Sequence, residues 1–140
     1  EKLLISKQDQ LSPMHTHAIK AEDIINRGGA SLVVELYGSD DAGNFAEDRG
    51  GTVLCDGIER SFRGGDKLKF APGESVTLFP GHWHAFWGEG GDVLIGEVST
   101  VNDDNTDNIF CEPIGRFAQI EEDVAPKHLL VSDYAKWLES

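Results

Sequence analysis

Alternation of apolar and polar residues runs through most of this chain, with the two-residue period of β-strands. The pattern is clearest in segments rich in β-branched and aromatic side chains, such as SLVVELYG at residues 31–38 and SVTLF at residues 75–79. Turn-forming pairs separate the segments at intervals of about 8 to 12 residues, which is typical of an antiparallel sandwich or barrel. No alternation of strands with long helices competes with this interpretation.

Shorter segments extend the β pattern. Leu3 to Ile5 predict a first strand, and Asp56-Gly57 predicts a hairpin with a two-residue turn. A further turn is predicted at Gly90-Gly91, between two strand-like segments. Residues 18–27 have the propensity for a helical turn that Gly28-Gly29 would end. The expected chain is therefore a series of short strands joined by tight turns.

The C-terminal tail, LLVSDYAKWLES, is the segment with helical spacing. Ser132 is suited to be the N-cap, and Tyr134, Trp137 and Leu138 recur at helical intervals. A chain of 140 residues buries about two thirds of its unfolded surface, so one core is sufficient. We therefore expect one all-β domain over residues 1–140 with a short C-terminal helix.

Acidic residues dominate the charge, and this limits the classes of partner. The net charge is -13, from 12 basic and 25 acidic residues. Such a field repels phosphate backbones and anionic lipid, so we expect no nucleic-acid and no membrane partner. A neutral or cationic small molecule fits it better.

Compartment is predicted from weaker signals. A transmembrane helix needs a run of about 18 apolar residues, and no run in this chain approaches that length. No signal peptide is visible. Cys55 and Cys111 lie far apart and in no C-x-x-C pairing, which favours two buried thiols in a reducing compartment, with a single bridge left open. We therefore predict a cytoplasmic protein.

Four of the five histidines fall in two pairs, and the first pair suggests a metal site. His15 and His17 project to one face of a strand, where both can bind the same ion. Glu22 can return to that ion after a chain reversal, and a barrel can bring His84 across its interior. Three imidazoles and one carboxylate suit Mn, Fe, Co, Ni or Zn. A single His-x-His is weak evidence, because exposed or core histidines are common.

The first half of this pattern resembles the first motif of the cupin family. His15-x-His17, then Glu22 after four residues and Gly29 after six more, follow its spacing. The family usually has a glycine six residues before the first histidine, where this chain has Asp9.

The second cupin motif is also matched in its register. Gly73, Gly81 and His84 stand at positions zero, eight and eleven, as the motif requires. The motif's proline is shifted by one, at Pro80, and the asparagine expected four residues after the histidine is Gly88. By this register His84 is a ligand, whereas the histidine two residues before it is not. The two motifs together imply a metal-binding cupin, which is a small jelly-roll β-barrel.

Longer segments are similar to the D-lyxose isomerase family, a group of cupin-type sugar isomerases. They are PMHTHAIKAEDIINRGG, PGHWHAFW and GDVLIGEVSTVNDDNTDN, and the similarity covers nearly the whole chain. It implies an aldose–ketose isomerase that depends on manganese and acts on D-lyxose and D-xylulose, with D-mannose and D-fructose as related substrates. It also implies that the metal ligands are His15, His17, Glu22 and His84.

The same resemblance bears on the extent and assembly of the chain. Family members carry residues before the EK that opens this sequence, so we expect that an upstream segment is missing from it. Cupins commonly pair through sheet edges and this chain opens on a strand, so we expect a homodimer.

Isomerisation needs a base beside the metal, and two side chains are candidates for catalysis. Glu97 stands in the apolar segment VLIGEVS, where burial suits a carboxylate to act as the base. A structural, hydrogen-bonded glutamate is the alternative. Lys20, between two ligands in sequence, is a candidate partner for sugar oxygens, with a solvated loop lysine as the alternative.

Substrate contacts are predicted from the acidic loop and the aromatic residues. Asp103, Asp104 and Asp107 can bind sugar hydroxyls, with Asp104 the first candidate, although acidic loops are usually solvated. Trp83 and Phe86 are candidates to line the mouth of the site, with the barrel core as the alternative.

Two rival functions use the same set of ligands. A cupin dioxygenase holds Fe with three histidines and one glutamate, and a sugar-binding cupin has no turnover. Assays of ketose formation and of oxygen uptake discriminate between the three.

Overall fold

The structure is a computed structural model that describes residues 1–101, 103, 106–114, 123–129 and 134–138. The elements in this part of the chain are β1 (Lys2–Ser6), β2 (Ser12–Thr16), β3 (Glu22–Ser39), β4 (Phe45–Ala46), β5 (Gly51–Cys55), β6 (Ile58–Phe62), β7 (Asp66–Phe70), β8 (Ser75–Leu78), β9 (Trp83–Ser99), β10 (Ile109–Phe110) and α1 (Tyr134–Trp137). All the pairings between these strands are antiparallel. The predicted all-β architecture is therefore confirmed.

Two long strands, β3 and β9, pair along almost their whole length and connect two layers. In the first layer, the N-terminal half of β3 pairs with β8 and the C-terminal half of β9 pairs with β1. In the second layer, the C-terminal half of β3 pairs with β7 and the N-terminal half of β9 pairs with β2. Strands β5 and β6 extend the first layer, and β10 extends the second.

The expected helical turn at residues 18–27 is wrong, because strand β3 begins at Glu22 and continues through Gly28-Gly29. Burial alternates from Glu22 to Asn26, as it does in a strand with one face on the core. Pairing with β9 and β8 therefore overrides the local helical propensity. The two glycines do not end the element but bend it, at a shift of register with β9. Gly29 has φ 98°, and an added Cβ would lie 2.3 Å from the Asp92 carbonyl oxygen.

The turn expected at Gly90-Gly91 is wrong for the same reason. These residues lie inside β9, opposite the bend in β3, where Gly29 pairs with Val93 and Ser31 with Glu89. Gly90 has φ 81°, so the backbone conformation that suggested a turn instead bends a continuous strand. Facing glycine pairs thus fold both long strands from one layer into the other.

The hydrophobic core contains side chains from both layers. Ile24, Val76 and Ile95 come from the first layer, and Val34 and Phe86 come from the second. A polar residue is buried with them: Asn26 is fully buried, and its amide donates to the carbonyls of Ala30 and Phe70, both at 2.9 Å. These bonds satisfy backbone groups that the bend of β3 leaves outside the strand ladder.

Other local predictions can be compared directly. The first strand and the Asp56-Gly57 hairpin are confirmed, and both turn residues have positive φ, at 50° and 81°. The C-terminal helix is confirmed as one turn, Tyr134–Trp137, whereas the proposed N-cap Ser132 lies outside the described residues.

The two cysteines are not joined by a disulfide bond. Cys55 and Cys111 are both free and partly buried. Burial raises the pKa of each thiol.

Among the described residues, we find no helix with the length and apolar character needed to cross a membrane.

Candidate metal centre and active site

Four side chains converge at one end of the barrel, between the layers. They are His15, His17, Glu22 and His84, and we refer to them as the His/Glu cluster. One potential ligand atom from each lies within 4.8 Å of all the others. Such a set of three imidazoles and a carboxylate matches the ligand preferences of first-row divalent metals.

Strand pairing explains why these residues meet. His15 on β2 stands directly opposite His84 on β9 in the second layer. His17 follows β2 in the connection that crosses to the first layer, where Glu22 is the first residue of β3. The histidines of one layer therefore meet a carboxylate of the other, although His84 is distant in sequence.

Each imidazole is oriented by a backbone carbonyl at its Nδ1 atom. The carbonyls of Pro13, Asp107 and His82 lie 2.7, 2.6 and 3.1 Å from Nδ1 of His15, His17 and His84 respectively. A carbonyl partner requires Nδ1 to carry the hydrogen, which leaves Nε2 with the lone pair that binds a metal. The arrangement thus selects the ligating tautomer.

Two buried atoms of the cluster lie close together without forming a hydrogen bond, and a cation between them would give both a partner. Glu22 Oε1 lies 3.2 Å from His17 Nε2 and 3.0 Å from His84 Nε2. In spite of this proximity, neither Glu22 Oε1 nor His84 Nε2 makes a hydrogen bond within the described part of the chain. Buried polar atoms without partners are costly, and a divalent cation between them would satisfy both.

Electrostatics keep the cluster in the protonation state that binds metal. Burial, reinforced by the neighbouring His84, lowers the pKa of His15 to about 3. Burial alone would raise the pKa of the Glu22 carboxyl, but the adjacent His17, His84 and Lys20 side chains outweigh it and hold that pKa well below its ordinary value. A neutral imidazole and an ionised carboxylate are the forms that act as ligands.

Lys20 joins the cluster to a second carboxylate. Its side chain is buried, and its Nζ lies 2.6 Å from Glu22 Oε2 and 2.9 Å from Glu97 Oε1. Burial would lower the pKa of the ammonium, but the two carboxylates outweigh it and raise that pKa. Lys20 is thus a buried cation, and the alternative of a solvated loop lysine is wrong.

Glu97 lies at the margin of this network. Its side chain is buried, and Lys2 on β1, which is half-exposed, reaches Oε1 at 3.3 Å. Both ammonium groups contact Oε1. The carboxylate is therefore held in place by two cations at one of its oxygens.

The remaining candidates lie around the cluster or elsewhere. Phe86 is part of the core, and its ring stacks on His84 at 6.4 Å between centroids. Trp83 is buried, donates from Nε1 to Ser39 Oγ at 3.1 Å, and borders a cavity of about 560 Å³. Asp104 lies outside the described residues. His82 stays out of the cluster, and its Nδ1 accepts the Phe79 N–H at 3.1 Å.

The sequence makes Asp104 the first candidate of the acidic loop and Asp107 a lower one, but Asp107 is buried, at 4% exposure. Its carboxylate accepts backbone N–H groups from Ala18, Ile19 and Lys20. Burial would raise its pKa, but these donors outweigh it and lower that pKa. The only signal in the sequence was its acidic side chain, which its loop neighbours share.

Two of the three departures from the cupin motifs, at Asp9 and Gly88, have a structural reason. Asp9, at the place of a usual glycine, has φ 59°, a left-handed conformation that aspartate tolerates better than most residues. Gly88 replaces the usual asparagine where an added Cβ would lie 2.7 Å from the Gly91 carbonyl oxygen. The bend of β9 therefore excludes a side chain there.

Comparison with known sequences gives a consistent result. A D-lyxose isomerase family profile matches residues 1–134. A D-lyxose/D-mannose isomerase of Serratia proteamaculans is 49% identical over 140 residues, and one of Escherichia coli O157:H7 is 45% identical over 139. These alignments cover 99% and 98% of this chain but 61% of each relative. The chain thus spans about three fifths of the length of these relatives.

Solved structures support the fold. An L-ribose isomerase of Acinetobacter sp. DL28, in complex with L-ribose, superposes with a TM-score of 0.57 at 19% identity, over 79% of this chain and 57% of that one. An L-ribose isomerase of Cellulomonas parahominis gives a TM-score of 0.55 at 19% identity, over 79% and 56%. The predicted cupin-type β fold is confirmed. Because the family profile spans nearly the whole chain, the protein belongs to the D-lyxose isomerase family.

Proposed function

We propose that this chain acts as a metal-dependent aldose–ketose isomerase that interconverts D-lyxose and D-xylulose, and D-mannose and D-fructose. The observation that carries the proposal is the buried Lys20, which links the His/Glu cluster to Glu97. A metal site and a carboxylate base within reach of one ammonium group are the parts that the reaction requires. The names of the relatives, D-lyxose/D-mannose isomerase, support the choice of sugars.

The His/Glu cluster would hold the divalent metal, for which we propose Mn. Its nitrogen and oxygen donors and the absence of thiolates from the set favour such a metal over a structural zinc of the thiolate type. When bound, the metal supplies a Lewis acid for the two sugar oxygens at C1 and C2.

Glu97 is the proposed base for the proton transfer. It takes the proton from C2 of the aldose, which gives an enediolate, and returns a proton to C1 to give the ketose. A hydroxyl proton moves from O2 to O1 in the same conversion, so the products balance. Because Lys2 and Lys20 both bond to Oε1, we assign this transfer to the other oxygen, Oε2.

Lys20 is the proposed partner of the developing oxyanion. An ammonium group has three N–H donors, and the two carboxylates Glu22 and Glu97 account for two of them. We assign the third to a substrate oxygen. A donor fixed in advance by two ion pairs stabilises developing charge without reorganisation.

The decisive assay incubates the chain with Mn²⁺ and D-lyxose or D-mannose in D₂O and measures ketose by NMR. The proposal predicts ketose with deuterium at C1, since the base exchanges its proton with solvent. Ketose without deuterium would exclude an exchanging base. Oxygen uptake with Fe²⁺, or sugar binding without ketose, would instead support the dioxygenase or the binding protein.

A further inference from the structure

Residues 17–21 connect β2 to β3 and carry two groups of the site, yet no strand includes them. Lys20 is buried, whereas Ile19 between the two groups is 77% exposed. A connection of this kind lacks the ladder that fixes side chains on a sheet, so other bonds must hold it.

Asp107 provides those bonds from a distant part of the chain. Its Oδ1 accepts the N–H groups of Ala18 at 2.8 Å and Ile19 at 3.0 Å, and its Oδ2 accepts the N–H of Lys20 at 2.8 Å. Three successive donors converge on one buried carboxylate, which matches their geometry as an anion-binding nest does.

The main chain of the same residue holds a member of the His/Glu cluster. The carbonyl oxygen of Asp107 lies 2.6 Å from His17 Nδ1. One residue therefore orients an imidazole through its backbone and the Lys20 segment through its side chain. Loss of the carboxylate would release the Lys20 segment. It would also loosen the hold on His17, because within the described residues the Asp107 backbone would keep only its own bond, from its N–H to the Asp103 carbonyl at 2.9 Å.

We propose that Asp107 is a positioning residue that sets the orientation of His17 toward the metal and of Lys20 toward Glu97. This inference rests on the proposed function, because it assigns Asp107 to the same site. Asp107 contacts neither the reacting atoms nor the ion in this role.

Two substitutions separate the contributions. Asp107→Ala removes all three bonds to backbone N–H groups. Asp107→Asn keeps the acceptor for Ala18 and Ile19 but turns an amide NH₂ toward the N–H of Lys20. Asp56→Asn is the matched control, because Asp56 Oδ1 accepts the Ser75 N–H at 2.9 Å in an exposed hairpin.

The readouts are Co²⁺ affinity by calorimetry and the visible absorption bands of bound Co²⁺, with folding checked by circular dichroism. For Asp107→Ala we expect Co²⁺ binding weakened about 10- to 100-fold, as for other partners of ligating histidines, and altered bands. For Asp107→Asn we expect a smaller loss of affinity, altered bands and, with sugar present, a lower kcat at similar KM. Asp56→Asn should match the wild type.

Unchanged Co²⁺ affinity and bands in either folded Asp107 variant overturn the inference, and Asp107→Asn decides if the alanine variant does not fold. A wild-type chain that binds no Co²⁺ overturns the metal centre and the inference together. A wild-type chain that binds Co²⁺ but forms no ketose refutes the proposed function alone, because the Co²⁺ measurements still test the positioning.

Discussion

Two carboxylates share the Lys20 ammonium group, but their surroundings differ. Glu22 lies in the inner region, the His/Glu cluster, where its side chain is 2% exposed. Glu97 lies in the outer region with Lys2, where the side chains are 11% and 46% exposed. The inner region is enclosed and fixed, as a metal site requires. The outer region is more exposed, because Lys2 is half-exposed.

The register of the sheet places the two regions side by side. Glu22 of β3 pairs with Ser99 of β9, and Ile24 of β3 pairs with Glu97. The two carboxylates are therefore diagonal neighbours on one face of an antiparallel pair. A difference of two positions in register is enough to place one carboxylate beside the histidines and the other in the outer region beside Lys2.

Glu22→Gln should have the largest effect, because it removes the anionic ligand of the inner region. Losing a residue that only hydrogen-bonds a metal ligand weakens metal affinity by up to about 100-fold. Because Glu22 is itself a candidate ligand, we expect a larger loss of affinity. At metal concentrations near the wild-type Kd, most chains of the variant would hold no metal, and in those chains ketose formation should fall by about 10⁴, since a metal supplies several kcal/mol of charge stabilisation.

Calorimetry and the ketose assay check this prediction. Glu35→Gln is the matched control, since Glu35 lies on the same strand and contacts Tyr37 and Lys67 away from the cluster. Wild-type metal affinity in Glu22→Gln would show that the inner region is not the metal site.

Glu97→Gln should have the second largest effect and should leave the metal in place. Loss of a general base lowers kcat by about 10³, while the inner region keeps its ligands. Comparing kcat and bound metal per chain tests this separation. Glu89→Gln, on the same strand but in a surface pair with Lys69, is the control. A kcat within a few-fold of the wild type would assign the base to another group.

Lys20→Met should have an intermediate effect. It should lower the stability of the fold, and it leaves the four candidate metal ligands in place. The change leaves Glu22 and Glu97 buried without their shared cation, and breaking a buried pair costs about 3 kcal/mol. Urea unfolding of the metal-free chain measures this cost. Lys69→Met removes an exposed pair and should cost less than about 1 kcal/mol. Equal losses in the two variants would contradict the difference between buried and exposed pairs.

These regions differ in how far the sequence predicts them. The four members of the His/Glu cluster are predicted because their spacing follows motifs, and this holds even for His17, which lies one residue past the end of β2. The positions of Lys20 and Asp107 are not predicted, because both lie outside the strands, where no periodicity defines a face. Only the pairing of distant segments, residues 17–21 with Asp107, determines their burial.

The fold shows the same limit. Alternation and turn spacing predict the antiparallel β architecture, and the Asp56-Gly57 hairpin follows from local turn chemistry. The long strands β3 and β9 are not predicted, because Gly28-Gly29 and Gly90-Gly91 suggest chain reversal. In the structure these glycine pairs bend continuous strands. The bend in β3 and the bend in β9 face each other across the sheet, so neither can be recognised from its own segment alone.

Lys2→Met should have the smallest effect and sharpens the boundary of the outer region. Lys2 Nζ reaches Glu97 Oε1 at 3.3 Å from a half-exposed position, and pairs of this kind stabilise by less than about 1 kcal/mol. Because Lys20 still holds Glu97 at 2.9 Å, we expect unchanged metal affinity and a kcat within a few-fold of the wild type. Lys7→Met, which removes the exposed pair with Asp92, is the control in both measurements. A large loss of kcat in Lys2→Met alone would move Lys2 into the catalytic network, and the outer region would then be as closely organised as the inner one.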